Sequence, residues 1–284
     1  VAGGVGFIRG EAGIEARMTS TSAWSLPIFT MPSFHQRDQA GIKPLYYADT
    51  PHGIVFASEL KALTEAPGVD RAVDELALVS YLTRLWSPGE RTLMAGVRKL
   101  SPGCFLSISP NGFEMREWTR WPVTREQKDQ IDVSVQTGQL AALFDQVVQD
   151  QCVSDVPIGA FLSGGVDSTA IVAAMAATGT PPMQTYCIGF SDQRTNMAKE
   201  GFGDDLAYAQ IAAKALGVPL TPILVDAPTA DDFAKLAWLL DEPQADPAPL
   251  YVEAIAAAAR ADGIKVLLSG AGGDDVFSGY RRHR

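Results

Sequence analysis

Two short segments carry residues whose types and spacing can do chemistry. The first is Phe161-Leu162-Ser163-Gly164-Gly165-Val166-Asp167-Ser168, where an apolar run enters a glycine pair and then a helix-forming stretch. Gly164 and Gly165 have no Cβ, so the backbone can turn tightly and bring its N–H groups close to anionic oxygens. Ser163 and Ser168 add hydroxyl donors, and a helix opening near Ser168 directs the positive end of its dipole to the same spot. This donor set suits phosphate. Asp167 is out of place beside a bare phosphate but not beside one carried with Mg²⁺, because the cation turns the repulsion into a bridge. The GxxxxGK[ST] spacing of a Walker A loop, with its lysine, is absent. The second segment is Leu268-Ser269-Gly270-Ala271-Gly272-Gly273-Asp274-Asp275-Val276-Phe277-Ser278-Gly279-Tyr280. It repeats the logic of glycines for close approach followed by carboxylates for a cation. Alone it also fits a flexible acidic turn; paired with the first segment it is far more specific.

The elements around these segments follow a strand-then-helix rhythm. Residues 158–162, 185–190, 220–225 and 264–268 read as strands. Between and around them, helices are expected over 140–151, with Leu140, Leu143, Phe144, Val147 and Val148 at helical spacing, and over 168–177. Further helices are expected over 204–216, from a Thr229-Ala230-Asp231-Asp232 capping box to Leu240, and over 250–262. Repeated units of this length imply a parallel sheet with helices on both faces. Ligands of such a sheet sit at the carboxyl ends of its strands, where both segments fall. The earlier part of the chain is broken by glycine and proline. Strands are expected there at 54–57, 105–108 and 112–116, with a hairpin turn at Pro110-Asn111-Gly112. The polar stretch near 121–139 reads as a connection, giving domains at 1–122 and 139–284 joined by a linker at 123–138.

Composition narrows the class. The 284 residues suit roughly two domains, and 46% apolar with 20% charged residues excludes disordered and fibrous chains. With 23 basic against 33 acidic residues the net charge is −10, so a nucleic-acid partner is not expected; Arg281-Arg282-His283-Arg284 is the one conspicuous basic cluster. Cys104, Cys152 and Cys187 lack CxxC spacing and read as reduced packing residues. No apolar run reaches the ~18–20 residues of a membrane span, and no signal sequence is evident, so no membrane association and a cytoplasmic location are expected. His35 and His52 have no neighbours at metal spacing and read as core or surface residues. Trp86, Trp118, Trp121 and Trp238 are expected to be packing residues rather than a stacking platform, and the Asp204-Asp205 and Asp231-Asp232 pairs to charge helix N-termini. The first residue is Val, as in a processed, cloned or incomplete sequence.

The hexapeptide Ser163–Ser168 matches the SGGxDS pyrophosphate loop of the ATP pyrophosphatases, which cleave ATP to AMP and pyrophosphate. Together the two segments resemble the synthetase domain of the glutamine-dependent asparagine synthetase family, whose second motif usually reads SG-x-G-[SG]-D-E-x-F-x-G-Y. Arg37-Asp38-Gln39-Ala40-Gly41-Ile42-Lys43-Pro44-Leu45-Tyr46-Tyr47, Phe56-Ala57-Ser58-Glu59-Leu60-Lys61-Ala62-Leu63 and Leu100-Ser101-Pro102-Gly103 are similar to the close of that family's glutaminase domain. The resemblance implies an α/β fold, a parallel-sheet ATP-pyrophosphatase domain of the adenine nucleotide alpha-hydrolase type. An incomplete α+β glutaminase-like domain of the N-terminal nucleophile type would precede it. It implies ATP and Mg²⁺ as cofactors, with aspartate and ammonia or glutamine as small-molecule substrates and a homodimer among the expected assemblies. Ser163, Asp167 and Asp274 would be catalytic, and Asp167 and Asp274 would hold Mg²⁺. Phe161, Leu162, Ser163, Gly164, Gly165, Asp167, Ser168, Ile188, Ser269 and Gly270 would bind ATP and its pyrophosphate, and Asp38 would be a remnant of a glutamine site. Asp241-Glu242-Pro243 precedes a helix expected to face the same pocket, and an acidic residue near Asp204 can face the nucleotide in the family.

The sequence also departs from the family. Ala2 stands where the nucleophilic cysteine belongs, and the stretch from Ile8 to Gln36 is too short for the strands that grip glutamine, so glutaminase function is expected to be lost. Ala271 replaces a glutamate, and the chain ends before a lysine that contacts the transferred phosphates, so the synthetase domain is expected to be incomplete. Three readings follow: an amidotransferase that makes asparagine, an ATP-dependent amide-forming enzyme similar to β-lactam synthetases or lasso-peptide cyclases, and a non-catalytic nucleotide-binding remnant.

Overall fold

The computed structural model describes residues 5–8, 33–109, 112–119, 132–191, 205–244, 246–277 and 279. Ala2, Pro110, Asn111, Trp121, Asp204, Tyr280 and the basic cluster at 281–284 lie outside the described residues. The chain forms two compact units, Val1–Arg125 with Ala230–Asp246 and Glu126–Thr229 with Pro247–Arg284.

The first unit is built from β1 (Val5–Ile8), β2 (Ser33–Gln36), β3 (Tyr46–Thr50), β4 (Gly53–Ala57), α1 (Leu60–Leu63), α2 (Glu75–Arg84), β5 (Arg98–Lys99), β6 (Cys104–Ser109) and β7 (Gly112–Glu117). Two antiparallel sheets result, in the orders β1-β4-β3-β5 and β2-β6-β7. Successive residues of a strand point to opposite faces, and β3 and β4 use both. Tyr46, Ala48, Val55 and Ala57 pack with Leu60 and Leu63 of α1 and with Val69 and Val97. Tyr47, Ile54 and Phe56 turn the other way, onto Leu106, Ile108 and Cys104 of β6. The expected hairpin is present as the pairing of Ser109 with Gly112. Of the tryptophans read as packing residues, Trp86, Trp118 and Trp238 are 53%, 44% and 68% exposed, with the Lys61 ammonium 5.6 Å from the Trp238 ring centroid.

The second unit contains α3 (Val133–Gln151), β8 (Ile158–Phe161), α4 (Val166–Ala177), β9 (Thr185–Phe190), α5 (Asp205–Leu216) and β10 (Leu220–Val225). The next helix, α6 (Ala230–Leu240), belongs to the first unit, and the chain then returns for α7 (Ala248–Ala261), β11 (Val266–Leu268) and α8 (Gly273–Phe277). The four strands are parallel in the order β10-β9-β8-β11. Ala160, Leu162 and Cys187 face one cluster with Val148 of α3, Val172 and Met175 of α4, and Ala209 and Ala213 of α5. Phe161, Tyr186 and Ile188 face the opposite cluster with Ile255 and Ala259 of α7. Helices therefore cover both faces, as the alternating pattern requires. Helix α3 starts seven residues earlier than its apolar spacing indicates, because Asp132 caps it by accepting from the Ser134 N–H at 2.8 Å and the Ser134 hydroxyl at 2.7 Å. Cys104, Cys152 and Cys187 are free thiols, and burial pushes the Cys187 thiol up to about 12. Among the described residues no helix is long and apolar enough to cross a membrane.

Candidate nucleotide site

Strands β8 and β11 are hydrogen-bonded neighbours, with Ala160 opposite Leu268, so the loops that follow them leave the same edge of the sheet side by side. Leu162 is fully buried and its N–H donates to the Tyr186 carbonyl at 2.8 Å, which fixes where the first loop begins. Gly164 then takes φ +78°, and a Cβ there would run into the backbone of Tyr208 and Ala209 in α5. Only glycine meets both demands. The turn is laced by its two serines. Ser168, 8% exposed, receives the Ser163 N–H on its Oγ at 3.2 Å, and the two hydroxyl oxygens lie 3.0 Å apart. Gly165 is the N-cap of α4 and supplies no side-chain bond, so the first-turn N–H groups are available to an anion.

The second loop closes on the first. A Cβ on Gly270 would stand 2.8 Å from the Ser168 nitrogen and 2.9 Å from the Asp167 carbonyl carbon. Gly273, the first residue of α8, lies so close under the Asp167 carboxylate that a methyl group has no room, and Gly279 abuts the Asp274 carboxylate in the same way. Asp274 occupies the first turn of α8. Ser269 accepts the Ala271 N–H on its hydroxyl at 3.2 Å. Ser163, Gly164, Gly165, Asp167, Ser168, Ser269, Gly270 and Asp274 thus form one constellation at the carboxyl edge of the sheet. Phe161 and Ile188 are partly buried together on the α7 face of the same strands.

Among the described residues no group of three or more His, Cys, Asp or Glu side chains is placed to hold a metal ion. Two carboxylates beside a phosphate-type loop do not fit zinc, which takes three or four protein ligands, and they do fit Mg²⁺, which keeps several waters and shares phosphate oxygens. Asp167 and Asp274 would hold it.

Asp38 lies in the first unit, apart from this constellation. Its carboxylate accepts the N–H groups of Lys43 at 2.8 Å, Ile42 at 2.9 Å and Ala40 at 3.1 Å, bonds that hold its pKa below the ordinary carboxylate value. Arg37 donates to the carbonyls of Gly41 at 2.8 Å and Lys43 at 3.0 Å in the same turn, and to that of the sequence-distant Leu100 at 2.6 Å. The Arg37-Asp38 pair is therefore a clamp on its own loop. Asp241 and Glu242, expected to precede a helix facing the nucleotide pocket, have their hydrogen-bond partners within the first unit. Asp241 accepts from the Leu60 N–H at 2.8 Å and the Lys61 ammonium at 2.7 Å, and Glu242 from the Leu93 N–H and the Lys99 ammonium, both at 2.7 Å. Both anchor the first unit. Tyr208, whose backbone closes the space behind Gly164, carries no sequence signal, because its contribution comes from main-chain position.

The asparagine synthase family matches residues 139–284, and the glutamine amidotransferase domain family matches residues 29–119. A putative glutamine-hydrolysing asparagine synthetase of Mycobacterium tuberculosis is 36% identical over 270 residues, covering 90% of this chain and 38% of the relative. Asparagine synthetase 1 of Bacillus subtilis is 34% identical over 252 residues, covering 87% of this chain and 37% of the relative. A protein of Gibberella zeae named Amidase chry2 is 29% identical over 266 residues, covering 87% of this chain and 38% of its own length. The chain spans under two fifths of the length of these curated relatives.

Proposed function

We propose a function on one premise: this chain belongs to the asparagine synthase family. Its second unit binds ATP and activates the side-chain carboxylate of aspartate. A carboxylate oxygen attacks the α-phosphorus, the bond to the β-phosphate oxygen breaks, and pyrophosphate leaves. Ammonia then attacks the acyl carbon, AMP departs with the C–O electron pair, and the surplus proton passes to solvent, leaving asparagine. Ser163, Gly164, Gly165 and the opening N–H groups of α4 bind the pyrophosphate end, where negative charge grows in the first step. Asp167 and Asp274 would hold Mg²⁺, which would supply further neutralisation of that charge. Phe161, Ile188, Ser269 and Gly270 line the adenosine end. The resemblance of the opening residues to the family's start, with Ala2 in the place of the nucleophilic cysteine, favours free ammonia over glutamine as the source of the amine.

The observation that carries the proposal is the contact of Gly270 and Gly273 with Asp167, which joins two glycine-and-carboxylate loops into one cluster. Calorimetry with ATP and Mg²⁺ on the wild type and on Asp167→Ala tests it: heat is expected for the first protein only, and equal heats overturn the assignment. Pyrophosphate release that depends on both aspartate and ammonium identifies the reaction. A second reading changes the acceptor, and Ala271, in the place of a glutamate proposed to assist amination, favours it. Pyrophosphate release with an amino-acid amine in place of ammonium would select it.

A further inference from the structure

Strand β7 lies at one edge of the β2-β6-β7 sheet, and every one of its residues from Gly112 to Glu117 is exposed. Among the described residues it pairs with β6 alone. One bond fixes the direction of its backbone groups. The Trp118 N–H donates to the Gly103 carbonyl at 2.9 Å, and successive residues of an antiparallel ladder turn their N–H and C=O groups to alternate sides. Arg116, Glu114 and Gly112 therefore face β6, while Phe113 and Met115 present their backbone groups outward. An open row of this kind is a template for another strand. The side chains add two features. Phe113 and Met115 stand opposite Ile108 and Leu106 and share their core-facing side of the sheet, yet they are 37% and 39% exposed where their neighbours are buried. The apolar layer, which Phe113 joins through an edge-on contact with Tyr47 at 5.8 Å between ring centroids, thus reaches the open edge uncovered. On the opposite face Glu114 and Arg116 pair with each other at 2.7 Å, both well exposed.

We propose that β7 is the contact strand of a symmetric dimer, in which two copies of the chain join their β2-β6-β7 sheets edge to edge into one antiparallel sheet. The order of charges selects the register. A two-fold axis through Met115 sets it opposite the partner's Met115, joined by their outward N–H and C=O groups. Glu114 then falls opposite the partner's Arg116, and Arg116 opposite the partner's Glu114. Both charge pairs occupy non-hydrogen-bonded positions, where facing side chains stand closest. Registers that keep the ladder move the axis by whole residues. One step either way sets Glu114 against the partner's Glu114 or Arg116 against the partner's Arg116, and like charges directly opposite are destabilising. At the selected register the methionines cover one another, and the two apolar layers become continuous. A strand this short makes a small interface, so the dimer should form and dissociate with concentration. The surface lies in the first unit and is independent of the proposed nucleotide site.

Sedimentation equilibrium over a concentration series, on the wild type, Glu114→Arg, Arg116→Glu and the double swap Glu114→Arg/Arg116→Glu, tests it. Each single reversal turns both opposite-charge pairs into like-charge pairs and is expected to weaken dimerisation at least about tenfold. The double swap restores complementarity and should dimerise within about threefold of the wild type. An equimolar mixture of the two single variants should form a mixed dimer, since the charges of one chain then face opposite charges on the other. Both side chains are exposed, so the fold should tolerate these changes, and the double swap keeps the test decisive if one single variant does not fold. In the wild type the Met115 amide should gain protection from hydrogen exchange as concentration rises, by more than the Glu114 amide, which already faces β6. A monomer at every concentration would overturn the proposal. So would a dimer that ignores both reversals, which places the interface elsewhere, or single variants that fail to associate when mixed.

Discussion

Replacing Asp241 with alanine should loosen α1 of the first unit, although the two residues are separated by most of the chain. The Asp241 carboxylate is 5% exposed and accepts the Leu60 N–H at 2.8 Å, the Lys61 N–H at 3.4 Å and the Lys61 ammonium at 2.7 Å. The N-cap of α1, Glu59, makes no capping bond with its side chain, so Asp241 caps the helix from a distant part of the sequence. Burial lowers the Lys61 pKa, but its bonds to Asp241 and Glu59 outweigh that and raise it, so Lys61 is held as the ammonium. Losing a cap costs about 1 kcal/mol, and stranding donors that stay partly buried costs about 1–3 kcal/mol. Lys61 keeps Glu59 at 2.8 Å, which argues for the lower part of that range. Asp241 also has φ +68°, a conformation that alanine tolerates less well than aspartate, adding several tenths of a kcal/mol. The sum is about 2–3 kcal/mol for Asp241→Ala and about half of that for Asp241→Asn, which keeps an acceptor and the tolerance for positive φ. Native-state hydrogen exchange at the Leu60 and Lys61 amides reads the local loss directly, which matters because two units need not unfold as one. The expected acceleration is roughly 30- to 150-fold. A cycle with Lys61→Met should be non-additive by more than about 0.5 kcal/mol. Acceleration below about threefold, or additivity in that cycle, would refute the capping role.

Gly164→Ala should lower the unfolding midpoint of the second unit and weaken ATP binding by at least about tenfold, since positive φ costs about 1–2 kcal/mol before the collision with Tyr208 is relieved. Gly165→Ala is the control for the fold: its φ is −67° and the nearest atom to a Cβ is 3.4 Å away, so the unfolding midpoint should stay nearly unchanged, and a loss of ATP affinity in calorimetry would arise at the ligand alone. Asp74 caps α2 through the Ala77 N–H at 3.0 Å and pairs with Arg91 at 2.6 Å, and first that backbone bond and then the arginines hold its pKa below the ordinary value. Its contribution is therefore complete above about pH 4 and lost as the pH falls through its depressed folded value. Protection factors of the α2 amides, which are corrected for the intrinsic exchange rate, should fall on acidification in the wild type and show a flatter pH dependence in Asp74→Asn.

The parallel sheet was legible because its signals are local. Strands β9 and β10 fall at the expected residues, since each is an apolar run bounded by proline or glycine turns. The start of α3 was not, because the capping geometry of Asp132 lies inside a stretch whose polarity resembles a linker. The destination of Asp241 and Glu242 was beyond reach for a different reason. Their partners are 181 and 149 residues away, and no periodicity or spacing encodes a contact at that separation. A helix that follows β10 in sequence was assigned to the sheet by order, while its terminal carboxylates fold into the other unit. The same limit applies to Asp38, whose position in a motif is plain and whose three backbone donors are not.

The glycines of the two loops show what a motif conceals even where it is read correctly. On sequence grounds all of them serve one purpose, letting backbone N–H groups approach phosphate. The physical demands differ from one to the next. Gly164 is required by a left-handed φ and by the backbone of α5, neither of which involves a ligand. Gly270 and Gly273 are required because Asp167 and the Ser168 backbone occupy the space their side chains would fill, so they serve loop-to-loop contact. Gly165 alone has ordinary φ and open surroundings, which leaves approach by a ligand as its distinctive property. Two of the six loop glycines, Gly270 and Gly273, therefore hold one carboxylate, Asp167, against the loop that carries the other, Asp274. A substitution at Gly273 would accordingly displace Asp167 before it affected anything bound, and the two loops are better regarded as one packed structure than as two separate ligand grips.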